Sequence, residues 1–182
     1  MNYIDRDSWV RFIHNKATDY NIPQIETWSH SSRISKRILH RANIETDGVY
    51  SVIYGGTRDV ENINDDIETD DSLLEVIPVK SSGFIDNNAL IVIHDAHLIN
   101  RSLNQSDLLR FGSGRLLEDI IRFINPDSNR KIIFIGDPYS LTYGKNEDSA
   151  LSLETLSELY QKKKIKHYRK DIGFNHCNSK EQ

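Results

Sequence analysis

Hydrophobic positions along this chain fall into two spacings that alternate from one end to the other. Trp9, Phe12, Ile13 and Ala17 recur as one face of a helix, with Asp7 or Ser8 placed to cap it, which predicts a helix ending near Tyr20. Asn21-Ile22-Pro23 stops it, and Gln24 to Trp28 reads as a short strand, with Ile25 and Thr27 suited to a pleated surface. A second helix starts at Ser29 or Ser31. Its Ile34, Ile38 and Leu39 turn to a core, which leaves Arg33, Lys36, Arg37 and Arg41 outside. Residues 49–54, VYSVIY, fit a strand or a short helix equally well.

Residues 60–72 offer almost nothing to bury and predict a mobile acidic loop. Leu73 to Val79 follows as a strand, with Pro78 placing its end near a sheet edge. Ala89 to Ile93 is an unbroken apolar run of the kind found in parallel strands covered on both faces. Gly114 to Ile124 is an amphipathic helix with Leu116, Leu117, Ile120, Ile121 and Phe123 inward. Lys131 to Ile135 is a second buried strand, closed by Gly136-Asp137-Pro138. Ser152 caps a last helix carrying Leu153, Leu156, Leu159 and Tyr160, and Ile165 to Tyr168 is a candidate final strand. There is no internal repeat.

Buried strands alternating with amphipathic helices predict an α/β domain, a parallel sheet with helices on both faces. One domain is expected over residues 1–170, followed by a polar tail at 171–182. In such sheets chemistry collects at the carboxyl ends of the strands. Here those ends carry His94-Asp95 and Gly136-Asp137.

Composition narrows the functional classes. No apolar run approaches the roughly 18 residues that a membrane helix needs, so no membrane association is expected. The start, MNYIDRDSWVRF, lacks an apolar core of the secretory type, and a cytoplasmic location is the expectation. The single cysteine, Cys177, allows no internal disulfide. A net charge of -4 does not suggest a general nucleic-acid binder, but the charge is unevenly placed. Residues 61–71 are acidic, whereas His30 to Arg41 and Lys162 to Lys170 are basic. Such basic runs are either solvated faces or local surfaces for phosphate.

Five segments carry a resemblance. ALIVIHDAHLI at 89–99 resembles the Walker B strand of helicases, and KIIFIGDPYSL at 131–141 resembles their Gly-Asp-Pro-x-Gln-Leu motif. LLRFGSGRLLEDII at 108–121 lies between them, as a similar segment does in RecD-like helicases. SHSSRISKRIL at 29–39 is similar to Ala-Pro-Thr-Gly-Arg-Ala-Ala-Lys-Arg-Leu of that family, and GVYSVIY at 48–54 stands where it has Thr-Ile-His. In this order the segments resemble the RecA-like ATPase core of RecD-like DNA helicases of superfamily 1.

The resemblance implies a three-layer RecA-like sheet, ATP-dependent helicase activity with Mg-ATP, and contact with single-stranded DNA. By position it makes His94, Asp95, Gly136, Asp137 and Ser140 the nucleotide site, with Asp95 and Asp137 as its surviving acids. It makes Ser31, Arg33, Lys36 and Arg37 the backbone-contacting residues for DNA.

The departures from the family pattern bear on turnover. No Gly-x-x-x-x-Gly-Lys-[Ser/Thr] occurs, so the phosphate cradle and its lysine are missing, together with the strand before them. His94 stands for the magnesium aspartate, Asp95 for the catalytic glutamate and Ser140 for the sensor glutamine. These remnants are vestigial as a catalytic set. The expectation is a domain inactive alone that acts as a DNA- or protein-binding module. The alternative is part of an active helicase whose phosphate loop, and with it Mg-ATP, comes from another chain. A protein partner completing the sheet is a further expectation, because strands 89–93 and 131–135 must otherwise pair directly, be bridged or leave a gap.

His94-Asp95-x-His97 has the residue types of a metal site, but consecutive positions at a strand end converge poorly, and no metal is expected. His167, His176 and Cys177 have no recognisable metal spacing, and Trp9 and Trp28 read as packing residues.

Overall fold

A computed structural model describes residues 6–55, 74–125, 128–142 and 144–159. In chain order the elements are α1 (Arg6–Asp19), β1 (Ile25–Ser29), α2 (Ser32–Ala42), β2 (Asp47–Gly48), α3 (Val49–Tyr54) and β3 (Glu75–Ile77). Then come β4 (Leu90–His94), a 3-10 turn (Ala96–Leu98), β5 (Leu109–Phe111), α4 (Leu116–Ile124), β6 (Lys131–Phe134) and α5 (Leu153–Leu159). The protein is α/β with a parallel four-stranded sheet in the order β2-β1-β4-β6. The strands predicted at 89–93 and 131–135 pair directly, with Ile91 beside Ile132 and Ile93 beside Phe134.

Every residue of β4 is buried, as its unbroken apolar run predicts for a strand covered on both faces. Alternate residues serve different clusters, because side chains along a strand alternate in direction. Ile91 and Ile93 join Trp28, Ile53, Leu117 and Ile120, where Trp28 meets Phe123 edge-on at 6.0 Å. Leu90 and Val92 join Ala17 of α1, with Ile13, Ile133 and Ile135 packed beside them.

A separate two-stranded parallel ribbon, β3 with β5, flanks this sheet. Its turn is built around Asp119, a buried carboxylate in the first turn of α4. Asp119 accepts hydrogen bonds from the Tyr54 hydroxyl at 2.7 Å and the Ser113 amide at 3.0 Å. Gly112 has φ +50°, and a Cβ there would collide with that carboxylate, so glycine is required twice over. Arg130 performs a comparable task at the amino ends of the strands. Its guanidinium donates to the carbonyls of Ser82, Ile85, Asp86 and Ile124, tying the end of α4 to the loop before β4.

Residues 49–54, which fit a strand or a short helix equally well, are helical and follow a two-residue strand at Asp47–Gly48. Other boundaries differ from expectation. β3 covers only Glu75–Ile77 of the longer stretch expected. β5 was not anticipated, because its Leu109 and Phe111 are only half-buried and its run is three residues long. The acidic loop at 60–72, the strand at 165–168 and the tail at 171–182 lie outside the described residues.

Candidate functional site

The carboxyl ends of β1, β4 and β6 come together, and with them most of the residues singled out in the sequence. β1 ends in Ser29, fully buried, whose hydroxyl donates to the Ser31 carbonyl at 2.9 Å and meets the Ser35 hydroxyl at 2.8 Å. These contacts turn the chain into α2 immediately after the strand. Ser31 caps the helix weakly, its hydroxyl accepting the Ile34 amide at 3.5 Å.

β4 ends in His94, which is fully buried. Its Nδ1 lies 3.2 Å from Asp95 Oδ2, but neither ring nitrogen makes a hydrogen bond among the described residues. Asp95 then takes a left-handed backbone, φ 52° and ψ 39°, that aspartate tolerates better than most side chains, and the chain leaves the sheet as a 3-10 turn. Its carboxylate is 3% exposed and is paired with Arg37 Nη2 of α2 at 3.2 Å. The same Oδ2 therefore faces a guanidinium on one side and an imidazole on the other.

β6 runs into Gly136 and Asp137. A Cβ on Gly136 would stand 2.9 Å from the His97 amide nitrogen and from Leu151, so this glycine permits close packing of two strand ends. The Asp137 carboxylate accepts the Tyr139 amide at 2.9 Å and the Ser140 hydroxyl at 3.0 Å, closing a local turn at the surface. His97 bridges the two strand ends, its Nδ1 accepting the Asp137 amide at 3.4 Å. His30 sits close to this group, and burial, followed by the nearby His97, holds its pKa below the usual histidine value, while Asp95 acts in the opposite sense.

These contacts determine what the cluster can do. Magnesium needs several open oxygen ligands arranged around it. Asp95 is covered and paired, His94 presents no oxygen, and Asp137 and Ser140 are engaged with their own turn. This donor set does not fit a magnesium nucleotide. No group of three or more His, Cys, Asp or Glu residues among the described residues could hold a metal ion.

The residues assigned to DNA by position separate into two groups. Arg33 and Lys36 are exposed on α2, one turn apart, with exposed His40 and Arg41 further along the helix. Arg37 points inward to Asp95, with its Nε buried and without a hydrogen bond. Beside α3, Tyr50, Tyr54 and Phe111 form an aromatic cluster with ring centroids 5.2 to 5.7 Å apart. The cluster lines a shallow recess of about 310 Å³ that Asn104, Gln105 and Ser106 also line. His30 meets Tyr50 edge-on at 5.8 Å, which connects this recess to the start of α2. Sequence reasoning missed both the Arg37–Asp95 pair and this cluster. Tyr50 and Tyr54, four apart in a short helix, were the available signal for the second. The first spans 58 positions and leaves no local trace.

The chain matches no protein-family model, no curated protein and no solved structure.

Proposed function

We propose that this chain is a non-catalytic binding module derived from the RecA-like core of a RecD-like helicase, and that it holds the backbone of single-stranded DNA on the exposed face of α2. A three-layer arrangement belongs to this reading, supported by α1 and α4 supplying the clusters on alternate residues of β4. The observation that carries the reading is a division of labour among cations on one helix. Arg37 neutralises Asp95, the acid that would otherwise serve catalysis, while Arg33 and Lys36 stay outside. Backbone contact needs only amides, hydroxyls and positive charge, so it can persist where turnover has been lost.

Affinity is expected to be modest, on the order of tens of micromolar at low salt, weakening as salt rises. Fluorescence anisotropy with a labelled oligonucleotide tests this on wild type and on Arg33→Glu/Lys36→Glu. The pair of reversals is expected to abolish binding and leave the fold intact, because both side chains are exposed. Equal binding by both proteins would make this helix face a solvated surface. The protein-binding reading rests on a different surface, the outer edge of β6, which no described residue pairs.

A further inference from the structure

The outer edge of β6 has a symmetry of its own. The amides of Lys131 and Ile135 donate toward β4, to the carbonyls of Ala89 and Ile93. By the alternation of a parallel ladder, the N–H and C=O groups of Ile132 and Phe134 point the other way. Two residues with outward hydrogen-bonding groups thus stand one on each side of Ile133. Between Lys131 and Asp137 the strand and its exit contain no charge and no proline, and Ile132, Ile133, Phe134 and Ile135 are all only half-buried. Edge strands in stable monomers are usually blunted by such residues or covered.

We propose that two copies of this chain join along β6, edge to edge and antiparallel, with the two-fold axis at Ile133. In this register Ile132 of each copy faces Phe134 of the other and exchanges both backbone hydrogen bonds with it, which uses all the outward groups. Ile132 with Phe134 is a β-branched–aromatic pair, a favourable cross-strand combination, and it would enlarge the cluster to which both already belong. Ile133 meets Ile133 of the second copy on the opposite face, enlarging the cluster around Ala17.

Charge and strand length together set this register against the slipped ones. Lys131 falls opposite Ile135 of the second copy and diagonally next to its Asp137, on the same face and within reach of a lysine side chain. Both residues are exposed, and the two-fold axis makes the contact twice. A slip by two residues that brings Ile132 to the axis would separate the charges and set Phe134 opposite Arg130, whose amide is already bonded to Ser128. A slip the other way would bring Lys131 opposite Asp137 but set Ile132 opposite Gly136, beyond the end of β6.

Sedimentation analysis of the full chain at tens of micromolar is expected to show a dimer. Lys131→Glu places two acids side by side at both ends and is expected to weaken association about threefold or more. Lys131→Glu/Asp137→Lys restores the opposite-sign contacts and is expected to recover it, which a role confined to folding would not do. In a Cys177→Ser background, Ile133→Cys is expected to cross-link on oxidation. The axial pair of an antiparallel ladder lies about 4.5 Å apart, within disulfide range, whereas Ile132→Cys has no cysteine opposite it and is expected not to cross-link. A monomer, with the edge covered by the chain itself, overturns the proposal. So does a dimer that ignores Lys131→Glu, one that the double exchange fails to restore, or one that cross-links equally well from either position.

Discussion

A carboxylate that is to hold a metal must turn its lone pairs outward, and Asp95 turns them toward Arg37 and His94. Removing one member of such a pair strands the other, because an uncompensated charge at 3% exposure has lost most of its hydration. Arg37 is therefore a structural residue in this protein. The histidines add a second residue-scale property. His14, bonded to the Thr27 hydroxyl at 2.7 Å between α1 and β1, and His30 both have pKa values lowered, first of all by burial. Between those lowered values and the ordinary 6.5, the unfolded chain binds protons that the folded chain refuses. Their contribution to stability is complete above that ordinary value and is lost as the pH falls through the folded ones. Urea midpoints are expected to drop between about pH 7 and about pH 5. His14→Gln, which keeps a partner for Thr27 without a titrating proton, should flatten the slope. A midpoint that stays level or rises on acidification through that window would contradict this.

The elements differ in how openly the sequence announced them. β4 and β6 were legible because unbroken apolar runs ending at His94-Asp95 and Gly136-Asp137 have few other uses, and both are paired in parallel where expected. α1, α2 and α4 were legible from their periodicity. The ribbon of β3 and β5 was not, because three-residue strands with half-buried side chains carry no pattern, and what fixes them is distant: Asp119 with Tyr54 and Ser113. Arg130 was equally silent, a lone arginine at a strand entry. It contacts four backbone carbonyls and the Ser82 hydroxyl, so it anchors three segments at once. Arg130→Ala is expected to destabilise the fold by roughly 2–4 kcal/mol, and Arg130→Lys by a large part of that, because an ammonium cannot reproduce the planar fork. Chemical denaturation measures both. A loss below about 0.5 kcal/mol, typical of surface substitutions, would mean that these bonds are not formed in solution.

At the scale of the molecule, the order β2-β1-β4-β6 brings Asp95 and Asp137 to one end of the sheet, where Asp95 is buried against Arg37 and Asp137 is engaged with its own turn. The sequence located that end but could not show its closure, since Arg37, which pairs with Asp95 there, was read as lying on the outward face of its helix. Arg33 and Lys36 form an exposed basic face on the same helix that turns Arg37 toward Asp95. On the proposed function, two properties that a working helicase couples, nucleotide binding and DNA binding, come apart in this chain. One measurement tests that separation: anisotropy of a labelled single-stranded oligonucleotide titrated with the full chain at low salt, with and without saturating Mg-ATP at matched ionic strength. Weak, salt-sensitive binding with the same midpoint in both series is the expected result. A midpoint that shifts with Mg-ATP, or no binding in either series, would contradict it.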